Sequence, residues 1–214
     1  MSEITYGPVL PEDFEVARQF IVDYFYAFEP MNRAYIHGKE PAEEDVEFSV
    51  KFLNEGLGVK ATVDDGRIVG ISLGYIGSED DVAVLTESVK NSRDRKWGDI
   101  LQFLIFVHES SNVSEKFGVS DAYEIQIVGV HPDFRGRSIA KELVRKQLQL
   151  AKEKGFKGVY VDCSNVFTAK IMESLEFEIV NEIVLENYRT EKGEQIFQPE
   201  DQVNRSIKSY FKRI

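Results

Sequence analysis

One cysteine, Cys163, stands in 214 residues. A lone thiol excludes an internal disulfide framework and removes the thiol pairs on which most structural zinc sites rely. Histidine is scarce too: His37, His108 and His131 are the three, and no two lie at metal-ligand spacing, so we expect no metal. No apolar run approaches the roughly 18 to 20 residues of a membrane span. The opening "MSEITYGPVLPEDF" has no basic segment leading into an apolar core, and the expectation is a soluble, cytoplasmic protein with no membrane partner. Positive charge is in deficit, 26 Lys and Arg against 37 Asp and Glu, for a net charge of −11. Such a balance argues against nucleic-acid binding, which needs a positive face. It raises the local concentration of a small cation near an acidic cleft, although acidity also serves solubility alone. Repeats, low-complexity tracts and linkers are missing. The length suits one domain over residues 1–214, a monomer or weak dimer.

What is present alternates between two periods. "EITYGPV" reads as a strand. Pro11 opens a helix with Phe14, Ala17, Ile21, Tyr24, Phe25 and Phe28 at helical spacing, and Pro30 ends it. A second helix after Pro41 aligns Val46, Val50, Leu53 and Leu57. Asp65-Gly66 marks a tight turn inside the hairpin "GVKATVDDGRIVGISLGYIG". In the less regular stretch 78–118, Ile100, Phe103, Leu104 and Val107 predict a helix. Next come a strand "DAYEIQIVGV" and a helix from Gly136 to Lys154 with Ala140, Leu143, Val144, Leu148 and Ala151 inward. "GVYVDC" reads as a strand buried on both faces, "NVFTAKIMESL" as a short helix, "FEIVNEIVLENY" as a strand and "EQIFQ" as the last one. The basic tail "RSIKSYFKRI" reads as a solvated end or a last packed segment. The order is mixed α and β around one sheet.

A strand that runs into a turn of small residues and straight on into a helix points backbone N–H groups outward, which is an anion site. Here the turn is Arg135-Gly136-Arg137-Ser138-Ile139-Ala140. Two small residues keep the backbone approachable, and two arginines add charge-assisted contacts to phosphate oxygens. It is neither a P-loop nor a dinucleotide loop. A surface turn with solvated arginines is the plain alternative.

"RGRSIA" after "IQIVGVHPDF" resembles the acetyl-CoA loop of the GNAT N-acyltransferases, Gln/Arg-x-x-Gly-x-Gly/Ala. It departs at Ser138, where the family usually has glycine, a modest cost unless the position needs a positive φ. "SNVFTAKIMESLEF" resembles a second family segment, with Asn165 and Phe177 matching. Thr168 replaces an alanine, Glu176 a glycine, and Met172 the tyrosine that often serves as general acid; a thioether cannot donate a proton. Within the superfamily, "PEDFEVARQFIVDYFYAFEPMN" and "DCSNVFTAKIMESLEF" are similar to segments of the insect-type arylalkylamine N-acetyltransferases. The resemblance implies the GNAT α/β (α+β) fold, a mixed, mostly antiparallel central sheet with a splayed strand pair, flanked by helices. It implies acetyl-CoA as co-substrate, with its pyrophosphate held by residues 135–140. It also places the pantetheine arm along Val128, Gly129 and Val130, and Asn165 in the same cofactor region.

Acyl transfer to an amine needs a base, an oxyanion donor and a proton for the leaving thiolate. Glu29 is the candidate base: a carboxylate between Phe28 and Pro30 at the end of an apolar helix has a raised pKa if it packs among aromatics, and the resemblance aligns it with the catalytic glutamate. An exposed helix-end glutamate is the alternative. Ser164 and Thr168, four apart, are expected on one helical face. The resemblance matches them to two serines near the acetyl group; for Ser164 or Asn165 a helix cap competes with that role. A main-chain N–H of Val128 or Gly129 is the expected oxyanion donor. From the aromatic run, Phe28 and Met31 are the expected acceptor-pocket residues. Cys163 reads as packed, with a ping-pong route through its thiol as a minor alternative. The expected activity is acetyl transfer from acetyl-CoA to an arylalkylamine of the dopamine, tyramine, octopamine, serotonin or tryptamine class. A polyamine or other small amine, and a non-catalytic acyl-CoA binder, are the alternatives; acidic pocket residues beyond Glu29 would favour a polycation.

Overall fold

The computed structural model describes residues 3–78 and 80–214. Seven strands form one open sheet: β1 (Ile4–Pro8), β2 (Val59–Val63), β3 (Ile68–Gly77), β4 (Ala122–Val130), β5 (Gly158–Cys163), β6 (Glu178–Val184) and β7 (Ser206–Arg213). Their order is β1-β2-β3-β4-β5-β7-β6. Only β4 and β5 run parallel; every other pair is antiparallel. The helices are α1 (Phe14–Phe20), α2 (Pro30–Ala34), α3 (Glu43–Val50), α4 (Asp81–Asn91), α5 (Arg95–Ser111), α6 (Val113–Phe117), α7 (Ile139–Glu153) and α8 (Val166–Ser174). Among the described residues no helix is long and apolar enough to cross a membrane.

Two irregularities build the site. The first is in β4. Leu73 of β3 pairs with Ile127, but Gly74 pairs with Ile125, so Gln126 is an extra residue on β4. A bulge flips the side-chain parity beyond it. Tyr123 and Ile125 pack with Val159, Val161 and Cys163 under α7 and α8, whereas Ile127 packs on the other face with Phe20 and Ile21. The bulge also ends the pairing with β5. Tyr123 pairs with Val159 and Glu124 with Tyr160, and no register continues although β5 runs on to Cys163. The sheet is therefore splayed between the C-terminal halves of its two parallel strands.

The second irregularity is in the N-terminal helix. It begins as α1, widens to a π turn over Ile21–Phe25 and tightens to a 3₁₀ turn over Tyr26–Phe28. A wide turn inserts one residue and rotates the chain beyond it by roughly 100°. The spacing that puts Phe28 inward therefore fails: Phe28 is 44% exposed, while Tyr26 and Glu29 are buried. Glu29 then leaves the helical region (φ −71°, ψ 118°) to cap α2.

Several other expectations are corrected. "EQIFQ" forms no strand; Ile196 and Phe197 are buried, and Phe197 makes one isolated bridge to Tyr35. Of the two readings of the basic tail, the packed one holds: it is β7, seated between β5 and β6 with Ile207, Ser209, Tyr210 and Phe211 buried. Its lysines at the strand's half-exposed positions carry the charge that makes it read as solvated. Helix α7 begins at Ile139 rather than Gly136, and Ala140 and Leu148 are half-buried. Gln147 turns inward instead, donating to the carbonyls of Ser72 at 2.9 Å and Leu57 at 3.2 Å and accepting from Tyr123.

Candidate active site

The splay opens onto a cavity lined by Glu29, Met31, Asn32, Gln126 and Ser164. Glu29 is 7% exposed. As the N-cap of α2, its carboxylate accepts from the backbone N–H of Met31 at 3.0 Å and from that of Asn32, and the Ser164 hydroxyl lies in the same cavity, near enough to favour its charged form. Burial raises its pKa above the ordinary glutamate value, and Ser164 and the backbone bonds pull in the opposite direction. A carboxylate offers about four lone-pair sites. The two backbone amides use two of them, which leaves capacity for Ser164 and for an incoming N–H or water.

Ser164 follows β5 directly and precedes α8, whose N-cap is Asn165: Asn165 Oδ1 accepts from the Phe167 N–H at 2.8 Å. Ser164 and Thr168 therefore do not share a helix face, because Ser164 lies outside the helix. Thr168 is half-buried on α8 and is not among the cavity residues. Met31 lines the cavity as expected, but Phe28 does not: it lies outside, with the Arg135 guanidinium 4.3 Å above its ring.

The turn before α7 is shaped for an anion. Gly136 has φ 75° and Ser138 φ 61°, both left-handed, and a Cβ added at Gly136 would meet nothing within 4 Å. Ser138 is the N-cap and its side chain makes no capping bond, so the first amides of α7, from Ile139 and Ala140, have no intrahelical acceptor. Arg135 donates Nε to the Val130 carbonyl at 3.3 Å, and Arg137 lies over the Phe134 ring at 5.3 Å. This donor set fits a diphosphate. The strand that feeds it is poised as well. His131 donates its N–H to Val69 at 3.0 Å, which makes that a hydrogen-bonded pair of the β3–β4 ladder. Alternation then commits Gly129 to β3 and turns the N–H groups of Val128 and Val130 toward the gap.

Sequence reasoning missed three acids in the same cavity: Asp45, Glu124 and Asp162. Asp45 accepts from Tyr26 Oη at 2.6 Å, and burial pushes it up to about 7. Asp162 accepts from Tyr160 Oη and Ser209 Oγ, both at 2.6 Å, and burial raises it too. Glu124 is held by Tyr75 and stands well above the ordinary range, from burial first and then from Asp162. The signal for two of them was there: in "YEIQIV" and "VYVDCS", polar residues alternate with apolar ones inside strands, so Glu124 and Asp162 share the face that carries Ser164. Lys96, buried on α5, offsets Glu29 and Asp45 electrostatically while it donates to the carbonyls of Gly38 at 2.8 Å and Glu40 at 2.7 Å. Phe25, Phe48, Tyr75 and Trp97 supply the aromatic part of the lining. Cys163 faces the opposite side of the sheet, buried with Met172 and Tyr210, and burial pushes its thiol up, which removes it as a nucleophile. Met172 is itself fully buried there.

The Acetyltransferase (GNAT) family matches residues 21–173. Among solved structures, the chain is similar to a mosquito arylalkylamine N-acetyltransferase-like 5b: 30% identity, TM-score 0.95, covering 99% of this chain and 100% of that one. It is similar to arylalkylamine N-acetyltransferase 2 from Aedes aegypti at 26% identity and TM-score 0.90, with 99% of each chain covered. It is also similar to a variant of an agmatine N-acetyltransferase in its apo form, at 25% identity and TM-score 0.91, again with 99% of each chain covered.

Proposed function

Since the chain belongs to the GNAT family of acetyltransferases, we propose that residues 1–214 act as one domain that transfers an acetyl group from acetyl-CoA to the primary amine of a small acceptor. The observation that carries this reading is the buried Glu29 carboxylate sharing one cavity with Ser164 at the splayed strands. Arg135, Gly136, Arg137, Ser138, Ile139 and Ala140 hold the diphosphate, and Val128, Gly129 and Val130 run beside the pantetheine arm.

The acceptor arrives as an ammonium. Glu29, with its raised pKa, takes one proton and leaves a neutral nitrogen to attack the thioester carbonyl. The Val128 N–H, turned into the gap, stabilises the oxyanion. The nitrogen must lose a second proton as the C–S bond breaks, and the thiolate must gain one. Ser164 is the group placed to pass it, since Met172 is walled into the core and has no proton to give. We assign this relay to Ser164 alone; Thr168 stands aside from the cavity.

The aromatic lining from Phe25, Phe48, Tyr75 and Trp97 favours an arylalkylamine. A second reading rests on Asp45, Glu124 and Asp162: three further acids in one cavity favour a dication, a diamine or a guanidino-amine. The raised pKa values of these acids leave the empty pocket less anionic than the count suggests, which is why we place the arylalkylamine first. Thiol release measured with acetyl-CoA against tyramine, dopamine, serotonin, putrescine and agmatine ranks the two. Glu29→Gln should lower kcat by about 10²- to 10⁴-fold with acetyl-CoA binding retained; near-normal turnover removes Glu29 as the base.

A further inference from the structure

Proton transfer through Glu29 and Ser164 leaves one polar side chain of the acceptor cavity idle. Gln126 is the residue that the bulge adds to β4, and its side chain lines the cavity. Among the described residues its amide has no hydrogen-bond partner. The acids around it are engaged: Asp45 accepts from Tyr26 at 2.6 Å, and Asp162 from Tyr160 and Ser209, both at 2.6 Å. Bulges recur beside active sites because they re-aim a side chain. An amide aimed into such a space with nothing to bond has its partner still to come. Its depth points to which group that is. Glu124 of β4 pairs with Tyr160 of β5. Two residues further along each strand, Gln126 stands about level with Asp162, and Ser164 lies two residues beyond. At about 3.3 Å per residue, Gln126 is roughly 6 to 7 Å deeper than the level of Ser164, where the amine is placed. A phenylethylamine held by its nitrogen at Glu29 spans that step with its ring against the aromatic lining and brings the far edge of the ring to Gln126.

We propose that the Gln126 amide hydrogen-bonds a hydroxyl on the acceptor's ring, so that the site selects phenolic amines over their unsubstituted counterparts. The inference rests on the acetyl-transfer reading with an aromatic acceptor and deepens it. The group at this depth is neutral. A distal ammonium or guanidinium is better matched by the carboxyls of Glu124 and Asp162, since a charge-assisted bond is roughly twice as strong as one to an uncharged amide. A hydroxyl needs no counter-charge. It donates to Oε1 or accepts from Nε2, and one amide supplies either. An unsubstituted ring that displaces water from this level leaves both ends of the amide unpaired. A site built to pair a polar group discriminates against the analogue that lacks it.

The test compares kcat/KM for tyramine and for phenylethylamine, which differ by the ring hydroxyl alone, in wild type and Gln126→Met with saturating acetyl-CoA. Methionine keeps an unbranched side chain at the bulge and removes both the donor and the strong acceptor. Wild type should prefer tyramine at least about tenfold. Gln126→Met should bring the ratio to about two or less, through a fall for tyramine with phenylethylamine unchanged or improved. The loss should lie in KM, with kcat within about twofold, because the contact is made equally in the ground state and the transition state. A change in cavity shape would slow both amines together, so an unchanged ratio in Gln126→Met overturns the assignment. So does a loss confined to kcat, which would put Gln126 in the chemistry. A wild-type ratio near one overturns it even if Gln126→Met does not fold, and leaves acetyl transfer to aromatic amines standing. If no amine raises thiol release above that of acetyl-CoA alone, the transfer reading fails; if putrescine and agmatine alone do so, the aromatic reading fails; this inference falls with either.

Discussion

At the scale of residues, the chain has put side chains where glycine is expected. Ser138 and Glu176 both have φ 61°. Glu176 occupies the residue after the cap of α8: its N–H donates to Glu173 at 3.0 Å, and the Phe177 N–H donates to Met172 at 3.1 Å, the paired bonds of a Schellman end. A non-glycine residue there costs roughly 1 to 2 kcal/mol, of which a glycine's greater unfolded-state freedom returns part. Glu176→Gly should therefore stabilise the protein by up to about 1 kcal/mol, about 2 to 4 °C in Tm, with kcat unchanged; an equal or lower Tm contradicts the strain argument. Both departures are readable from the residues. That each falls on a left-handed position is not, because φ follows from how the turn closes against its helix. In the same way Glu29 was a candidate from its neighbours Phe28 and Pro30 together with the family resemblance, but Asp45 was not. Its burial depends on Tyr26, which reaches it only after the register change in the preceding helix.

At the scale of elements, the π turn over Ile21–Phe25 aims Glu29, the proposed base. Excising one residue from it, such as Asp23, restores an uninterrupted 3.6-residue repeat and carries Glu29 about 100° around the axis. That variant should keep acetyl-CoA binding, which draws on β4 and α7, and lose turnover to the level of Glu29→Gln; full activity would show that the wide turn has no part in placing the base. Apolar spacing cannot reveal such a turn, since it assumes one period throughout, and this is why it points Phe28 into the pocket. The strands were more legible: Asp65-Gly66 set the hairpin, and "DAYEIQIVGV" and "GVYVDC" fall on β4 and β5. The tail was legible only as one of two alternatives, because β7 enters the sheet by pairing with β5 and β6, contacts that no local pattern encodes.

At the scale of the whole molecule, four acids close around one cavity in a chain of net charge −11, and the fold holds them at a cost that depends on pH. Asp45 shows the sign. Its folded value of about 7 lies above the ordinary 3.8, so its protonated form is the one the native state favours. Its contribution to stability is fully present below the unfolded value and is lost as pH rises through about 7. Asp45→Asn, which stays neutral and still accepts from Tyr26, should gain about 1 to 2 kcal/mol over wild type in urea unfolding at about pH 8 and much less at about pH 5. A difference independent of pH would contradict the burial argument. The mixed sheet and the loop ahead of α7 were legible in the order of the elements, and the splay was implied by the family resemblance. What fills the acceptor side was not, because residues 45, 124 and 162 meet only once the sheet and the N-terminal segment close on each other. The proposed mechanism turns on Glu29 receiving the amine's proton inside that enclosure. The most direct measurement is kcat against pH, from about pH 5 to 9, for wild type and Glu29→Gln with saturating acetyl-CoA. An acidic limb centred above the ordinary glutamate range in wild type and missing from the variant is the predicted result. A limb of the same position in both proteins would contradict it.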